Sequence, residues 1–103
     1  MSNKFMRIIS PKALREFRNL YPASGTGLQI WEKRITSRRW ANSNEIKAAF
    51  SGADPVGNNR IVFNINHNDF RLIVIFRYKI QLCYIRFVGT HEEYDKIDNV
   101  SLV

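Results

Sequence analysis

Five consecutive stretches decide how this chain folds: RIVFNI (60–65), NHND (66–69), FRLIVIF (70–76), LCYIRFVG (82–89) and THEEYDKI (90–97). Their spacing predicts three β-strands joined by turns at 66–69 and 78–81, the last strand running into a helix. Successive side chains of a strand point to opposite faces. One face then collects Ile61, Phe63, Ile65, Leu72, Val74, Phe76, Cys83, Ile85 and Phe87. It is almost wholly apolar and must be covered. The other collects Arg60, Arg71, Arg77 and Arg86 with Val62, Asn64, Ile73, Ile75, Tyr84 and Val88, and no acid. Solvated sheet surface is an ordinary place for a single arginine. Arg60, Arg71 and Arg86 sit on three strands yet share a face, a grouping that an anion neutralises, and a guanidinium grips phosphate bidentately.

Upstream, Phe5 to Ile9 is a short apolar segment suited to an edge strand. Ser10-Pro11 reads as a helix start, with serine as cap and proline at the first helical position. Leu14, Phe17, Leu20 and Tyr21 follow at helical spacing and mark a buried stripe; Pro22 ends that helix. A second helix starts between Ser24 and Leu28, with Leu28, Trp31 and Ile35 inward and Lys33, Arg34, Arg38 and Arg39 as a basic run near its end. That run needs no function beyond the dipole's preference for cations at a helix C-terminus. Asn42 with Glu45 resembles a capping box for a short helix Ser43 to Phe50. Gly52 to Asn59 is rich in turn residues and reads as a loop. Thr90-His91-Glu92-Glu93 is a full capping box, which sets His91 in the first turn and Tyr94 on the same side. Asp98 and the remaining tail are expected to fray. Helices, then a strand meander, then a C-terminal helix make an α+β fold, with amphipathic helices on the apolar face of a mainly antiparallel sheet. The arginine face is then left open as a shallow groove.

The chain has 103 residues, which bounds it to a single domain over 1–103. It carries 16 Lys and Arg against 9 Asp and Glu, for a net charge of +7. So basic a balance points to a polyanionic partner such as nucleic acid, or to an acidic protein. The one cysteine, Cys83, rules out an internal disulfide framework and suits a reducing compartment. Met1-Ser2-Asn3-Lys4 lacks the apolar region of a signal peptide, and Met6 is a second candidate start. The longest apolar run, Leu72 to Phe76, is too short to span a bilayer, so no membrane association and a cytoplasmic location are expected.

Metal chemistry is poorly supported, because two histidines, one cysteine and scattered acids give no ligand spacing. No Gly-rich phosphate loop is present, and no cofactor is expected. What remains is the arginine face beside His91 and Tyr94. Arginines holding a phosphate with a histidine as acid or base make a workable metal-free ribonuclease site, in which a 2′-hydroxyl attacks the neighbouring phosphate. A histidine at an exposed helix start also needs no such role. His67, in a hairpin turn, reads as a polar turn residue.

The segments IISPKALREF, EIKAAF, NNRIVFNI, FRLIVIF and IRFVGTHEEYDKID resemble the HigB family of bacterial toxins, within the wider RelE-like messenger-RNA interferases. The likeness spans Met6 to Asp98. It implies a RelE-like fold, cleavage of messenger RNA on the translating ribosome, a HigA-like helix-turn-helix antitoxin, and operator DNA reached only through that antitoxin. Arg71 and Arg86 match the basic sheet residues of the group, and His91 and Tyr94 fall in its C-terminal polar motif; these four form the catalytic set that the resemblance implies. Lys47, Arg60, Arg77 and Tyr84 complete the expected RNA contacts. Two other functions use the same surface without chemistry: a non-catalytic RNA- or ribosome-binding domain, and a module that meets an acidic protein.

Overall fold

The computed structural model describes residues 4–103; Met1, one of the two candidate starts, lies outside them. The elements run β1 (Arg7–Ile9), α1 (Lys12–Leu20), α2 (Gly25–Ile35), α3 (Ser43–Ala49), β2 (Asp54–Gly57), β3 (Arg60–Ile65), β4 (Phe70–Arg77), β5 (Leu82–Thr90) and α4 (His91–Asp95). The strands form one sheet in the order β1-β5-β4-β3-β2. All pairs are antiparallel except β1 with β5. The α+β architecture read from the sequence is therefore the observed one. Among the described residues no helix is long and apolar enough to cross a membrane.

The core lies between the sheet and helices α1 to α3. Phe63 of β3 is its centre: Trp31 of α2 and Phe50 after α3 meet it edge-on at 5.3 and 5.2 Å. Leu14, Leu28, Ile35, Ile46, Leu72 and Val74 are fully buried around it. Each such side chain contributes roughly 1.5–3 kcal/mol of burial. Cys83 is part of this core, and burial pushes its thiol up to about 12. It is therefore protonated and unreactive near neutral pH.

Several expectations change. Ser10 does not cap α1: it takes a left-handed φ of 65°, and Pro11 occupies the cap position without a side-chain bond. Leu20 is 77% exposed rather than buried, because α1 ends there and the chain turns into a 3₁₀ turn at Pro22–Ser24. The capping box at Asn42 is half-formed. Asn42 accepts the Glu45 N–H at 3.1 Å, whereas the Glu45 carboxylate takes the Ala41 N–H at 2.8 Å and pairs with Arg38 at 2.9 Å. The loop 52–59 contains strand β2, whose Pro55 is tolerated because β2 is an edge; a register shift between Pro55 and Gly57 bends it.

The largest change is in β5. Ile73 pairs with Phe87 and Val74 with Ile85, so Arg86 is one extra residue on the β5 side. A bulge of this kind breaks the strict alternation beyond it. Val88, opposite Leu72, turns into the core, and Phe87, opposite Ile73, turns to the arginine face. The predicted positions of Phe87 and Val88 are thus exchanged.

The turn before β5 is tied to the helical layer by Gln81, which is fully buried. Its carbonyl oxygen accepts the Trp40 N–H at 2.9 Å, and its amide donates to the Trp40 carbonyl at 2.7 Å and to Tyr78. The side chain thereby serves the Trp40 main chain as a short piece of strand would. Replacing Gln81 by Met keeps the volume and leaves both Trp40 groups unpaired in the interior. A loss of about 2–4 kcal/mol is expected, measured by urea denaturation; a loss under about 0.5 kcal/mol would show that water restores the bonds.

Candidate nucleic-acid interface

Three of the candidate side chains, Arg71, His91 and Tyr94, gather where β5 hands the chain to α4. Thr90 and Glu93 form the capping box: the Thr90 hydroxyl accepts the Glu93 N–H at 3.1 Å, and the Glu93 carboxylate accepts the Thr90 N–H at 2.8 Å. The His91 N–H donates to the Asp69 carbonyl at 3.0 Å, in the turn between β3 and β4. The main chain of His91 is therefore fixed from both sides. Gly89 makes this possible. A Cβ there would come within 2.5 Å of the Phe87 ring and 2.9 Å of the Glu93 carboxylate.

His91 Nδ1 lies 2.9 Å from Asp95 Oδ2, one helical turn on. The imidazole, about half exposed, lines a shallow groove with Asn68, Asp69, Glu92 and Asp95. Tyr94 packs at 6.4 Å against Phe87, and the Arg71 guanidinium stands 5.7 Å over its ring. Arg71 is steadied by the Asn68 carbonyl at 2.9 Å, so the residue that lines the histidine groove also holds the arginine. Burial pushes the Tyr94 phenol up, as do the carboxylates of Asp54 and Asp95, while Arg71 opposes the shift. Tyr94 therefore keeps its proton near neutral pH and remains a hydrogen-bond donor.

A second group lies on the same face. Arg60 Nε donates to the main-chain oxygen of Val103 at 2.7 Å, and Arg86 Nε reaches the same oxygen at 3.3 Å. These arginines sit on β3 and β5, with β4 between them, and converge on one acceptor. The tail that supplies it does not fray: a 3₁₀ turn at Val100–Leu102 is capped by Asn99 and held by a bond from Asn58 to Ser101. The arginine face is accordingly not left open. Val62 and Ile73, which alternation places on it, are buried, and Phe87 stands opposite Ile73. Apolar surface on both sides of the sheet is the reason: a floor of Val62, Ile73 and Phe87 needs a cover as the core face does.

The structure brings Arg71, Tyr94 and His91 to one end of this face and Arg60 and Arg86 to another. Lys47 is exposed on α3 and Arg77 on β4, and Tyr84 is half-buried on β5; none of the described contacts ties these three to either group. Three participants escaped the sequence reading. Asp95 was legible, since His91 and Asp95 stand at i and i+4 of a capped helix. Asp54 and Phe87 were not, because one depends on an edge strand hidden in a turn-rich segment and the other on the bulge.

Helices over one face of a mainly antiparallel sheet, with arginines, a tyrosine and a histidine collected on the other beside a C-terminal helix, define a basic domain of RelE-like architecture. The family model of the HigB toxin, the RelE-like toxic component of a toxin–antitoxin system, matches residues 24–97, and the chain belongs to that family. Among its relatives is the mRNA interferase toxin HigB of Escherichia coli (strain K12), 33% identical over 92 residues that cover 87% of this chain and 88% of the relative. The proteins named mRNA interferase HigB from Escherichia coli O157:H7 and from Shigella flexneri match with the same identity and coverage.

Because the capping box fixes the first turn of α4, Thr90→Ala should cost about 1 kcal/mol in chemical denaturation, the usual value of a lost cap. An unchanged midpoint would mean that the Asp69–His91 bond suffices to hold the turn.

Proposed function

We propose that this chain is the toxin of a type II toxin–antitoxin module, an endoribonuclease that cleaves messenger RNA on the translating ribosome. It acts in the cytoplasm, is neutralised by a HigA-like helix-turn-helix antitoxin, and meets operator DNA only through that antitoxin. The observation that carries the chemistry is the grouping of Arg71, Tyr94 and His91 around the start of α4. Membership of the HigB toxin family and the relatives named as mRNA interferases support the substrate class.

In the proposed reaction the Arg71 guanidinium holds the reacting phosphate and offsets charge as it builds on the non-bridging oxygens, while Arg86 takes a neighbouring phosphate of the same strand. A phosphate that reaches Arg60 and Arg86 replaces the Val103 oxygen as their acceptor. The 2′ oxygen of the neighbouring ribose attacks phosphorus, and its proton passes to water. The P–O5′ bond breaks with its electron pair on O5′, which takes the proton from Nε2 of protonated His91. The products are a 2′,3′-cyclic phosphate and a free 5′-hydroxyl. Tyr94, still protonated, donates a hydrogen bond to a phosphate oxygen or lays its ring against a base.

Arg71→Ala and Arg86→Ala should preserve the circular dichroism spectrum and weaken single-stranded RNA binding. The slope of log K against log salt should fall by about 0.7 for each lost contact. Wild-type affinity and slope in either variant would remove that arginine from the interface.

His91→Ala should lower cleavage of ribosome-bound messenger RNA about 100-fold with antitoxin binding retained. Fragments from the wild-type protein should end in a 2′,3′-cyclic or 3′-phosphate. Ends with a 3′-hydroxyl would refute the mechanism, and intact messenger RNA despite tight binding would favour a non-catalytic RNA-binding domain.

A further inference from the structure

The Asp95 carboxylate has a use that α4 itself does not explain. It stands at the C-terminal end of the helix, where the dipole disfavours negative charge. The Asp95 side chain is exposed, and its ion partner is the imidazole of His91 at 2.9 Å. An ionised carboxylate can only accept hydrogen bonds. The atom that faces it, Nδ1, must therefore carry a proton, and Nε2 becomes the ring nitrogen whose protonation can change. Free histidine has no such constraint.

We propose that Asp95 is a positioning residue for His91: it holds Nδ1–H, fixes the ring about its side-chain torsions, and leaves Nε2 as the nitrogen that meets the RNA. The proposal rests on the reading of His91 as the proton donor. The geometry around the pair is consistent with this single task. The main chain of His91 is fixed by Asp69 and by the Thr90–Glu93 box, which leaves only the ring free to rotate. Asp69 and Glu92 line the same groove, but among the described residues the imidazole pairs with Asp95. A carboxylate at 95 supplies the missing restraint from the helix that carries the histidine, so ring and restraint move together when RNA displaces the tail from the neighbouring arginines. A donor whose angle is set before substrate arrives loses less entropy on reaching the transition state.

Four proteins test this: the wild type, Asp95→Ala, His91→Ala and the double variant, each as the full chain. Nitrogen-15 spectra of the imidazole in the free protein read the tautomer. The neutral ring of the wild type should carry its proton on Nδ1, and that of Asp95→Ala should shift toward Nε2–H. Single-turnover cleavage of ribosome-bound messenger RNA should fall roughly 10-fold in Asp95→Ala, less than in His91→Ala. The double variant should be no slower than His91→Ala alone, because a restraint has no value without its ring. Asp95→Glu, whose longer carboxylate can still reach Nδ1, should recover part of the rate. An unchanged tautomer in Asp95→Ala, or losses that add in the double variant, overturns the positioning role. Wild-type cleavage by Asp95→Ala with an inactive His91→Ala overturns this proposal alone. Wild-type cleavage by His91→Ala overturns the proton-donor reading and the positioning role with it.

Discussion

One extra residue in the longest strand governs the second half of the molecule. Arg86 has no counterpart on β4, so the strand shifts phase after Ile85. Before the bulge, Cys83 and Ile85 serve the core; beyond it, Val88 does. The same shift sends Phe87 to the opposite face, where its ring folds over the bare Cα of Gly89 and meets Tyr94. Without the bulge Phe87 would enter the core, Val88 would face outward, and α4 would leave the sheet without an aromatic seat. The position of His91 and Tyr94 relative to Arg71 thus follows from a single insertion in hydrogen-bond register.

The sheet is consequently covered on both sides, but by unequal means. Helices α1 to α3 and the residue after α3 bury the larger face around Phe63, with aromatic contacts from Trp31 and Phe50 at 5.3 and 5.2 Å. The smaller face is covered by one short helix and a tail, held largely by capping bonds and by arginines reaching a main-chain oxygen. Few buried apolar contacts and many exposed hydrogen bonds mark the parts of a fold that open most easily. The cover over the arginines therefore belongs to the part of the protein best able to give way to a polyanion, while the strands that carry Arg60, Arg71 and Arg86 are anchored by the core beneath.

Charge is sorted along this face. Arginines come from strands β3, β4 and β5, whose side chains project at fixed spacing. Carboxylates come from the turn before β4, from α4 and from Asp54 of β2, and those of Asp69, Glu92 and Asp95 line the groove at His91. A net charge of +7 attracts a polyanion from a distance, but it does not choose the reacting phosphate. In the proposed reaction that choice falls to the β5–α4 junction, where His91 and Arg71 are both tied to the turn before β4.

Much of this was readable from the residues alone. Alternation in 60–65 and 70–76 placed Ile61, Phe63, Leu72, Val74 and Phe76 in the core because period-two patterns map directly onto sheet faces. The Thr90–Glu93 box, the turns at 66–69 and 78–81, and the breaks at Pro22 and Gly52 were legible for the same reason: each is a local rule acting over a few residues. The structure settled what depends on partners distant in the chain. Pairing of β5 with β4 created the bulge that exchanged Phe87 and Val88; pairing of β3 with 54–57 turned a predicted loop into an edge strand; Gln81 found a donor and an acceptor 41 positions away at Trp40. The tail that was expected to fray docks because Arg60, Arg86 and Asn58 offer it donors. Local sequence specifies which backbone conformations are cheap, and only the assembled sheet specifies which residues oppose one another.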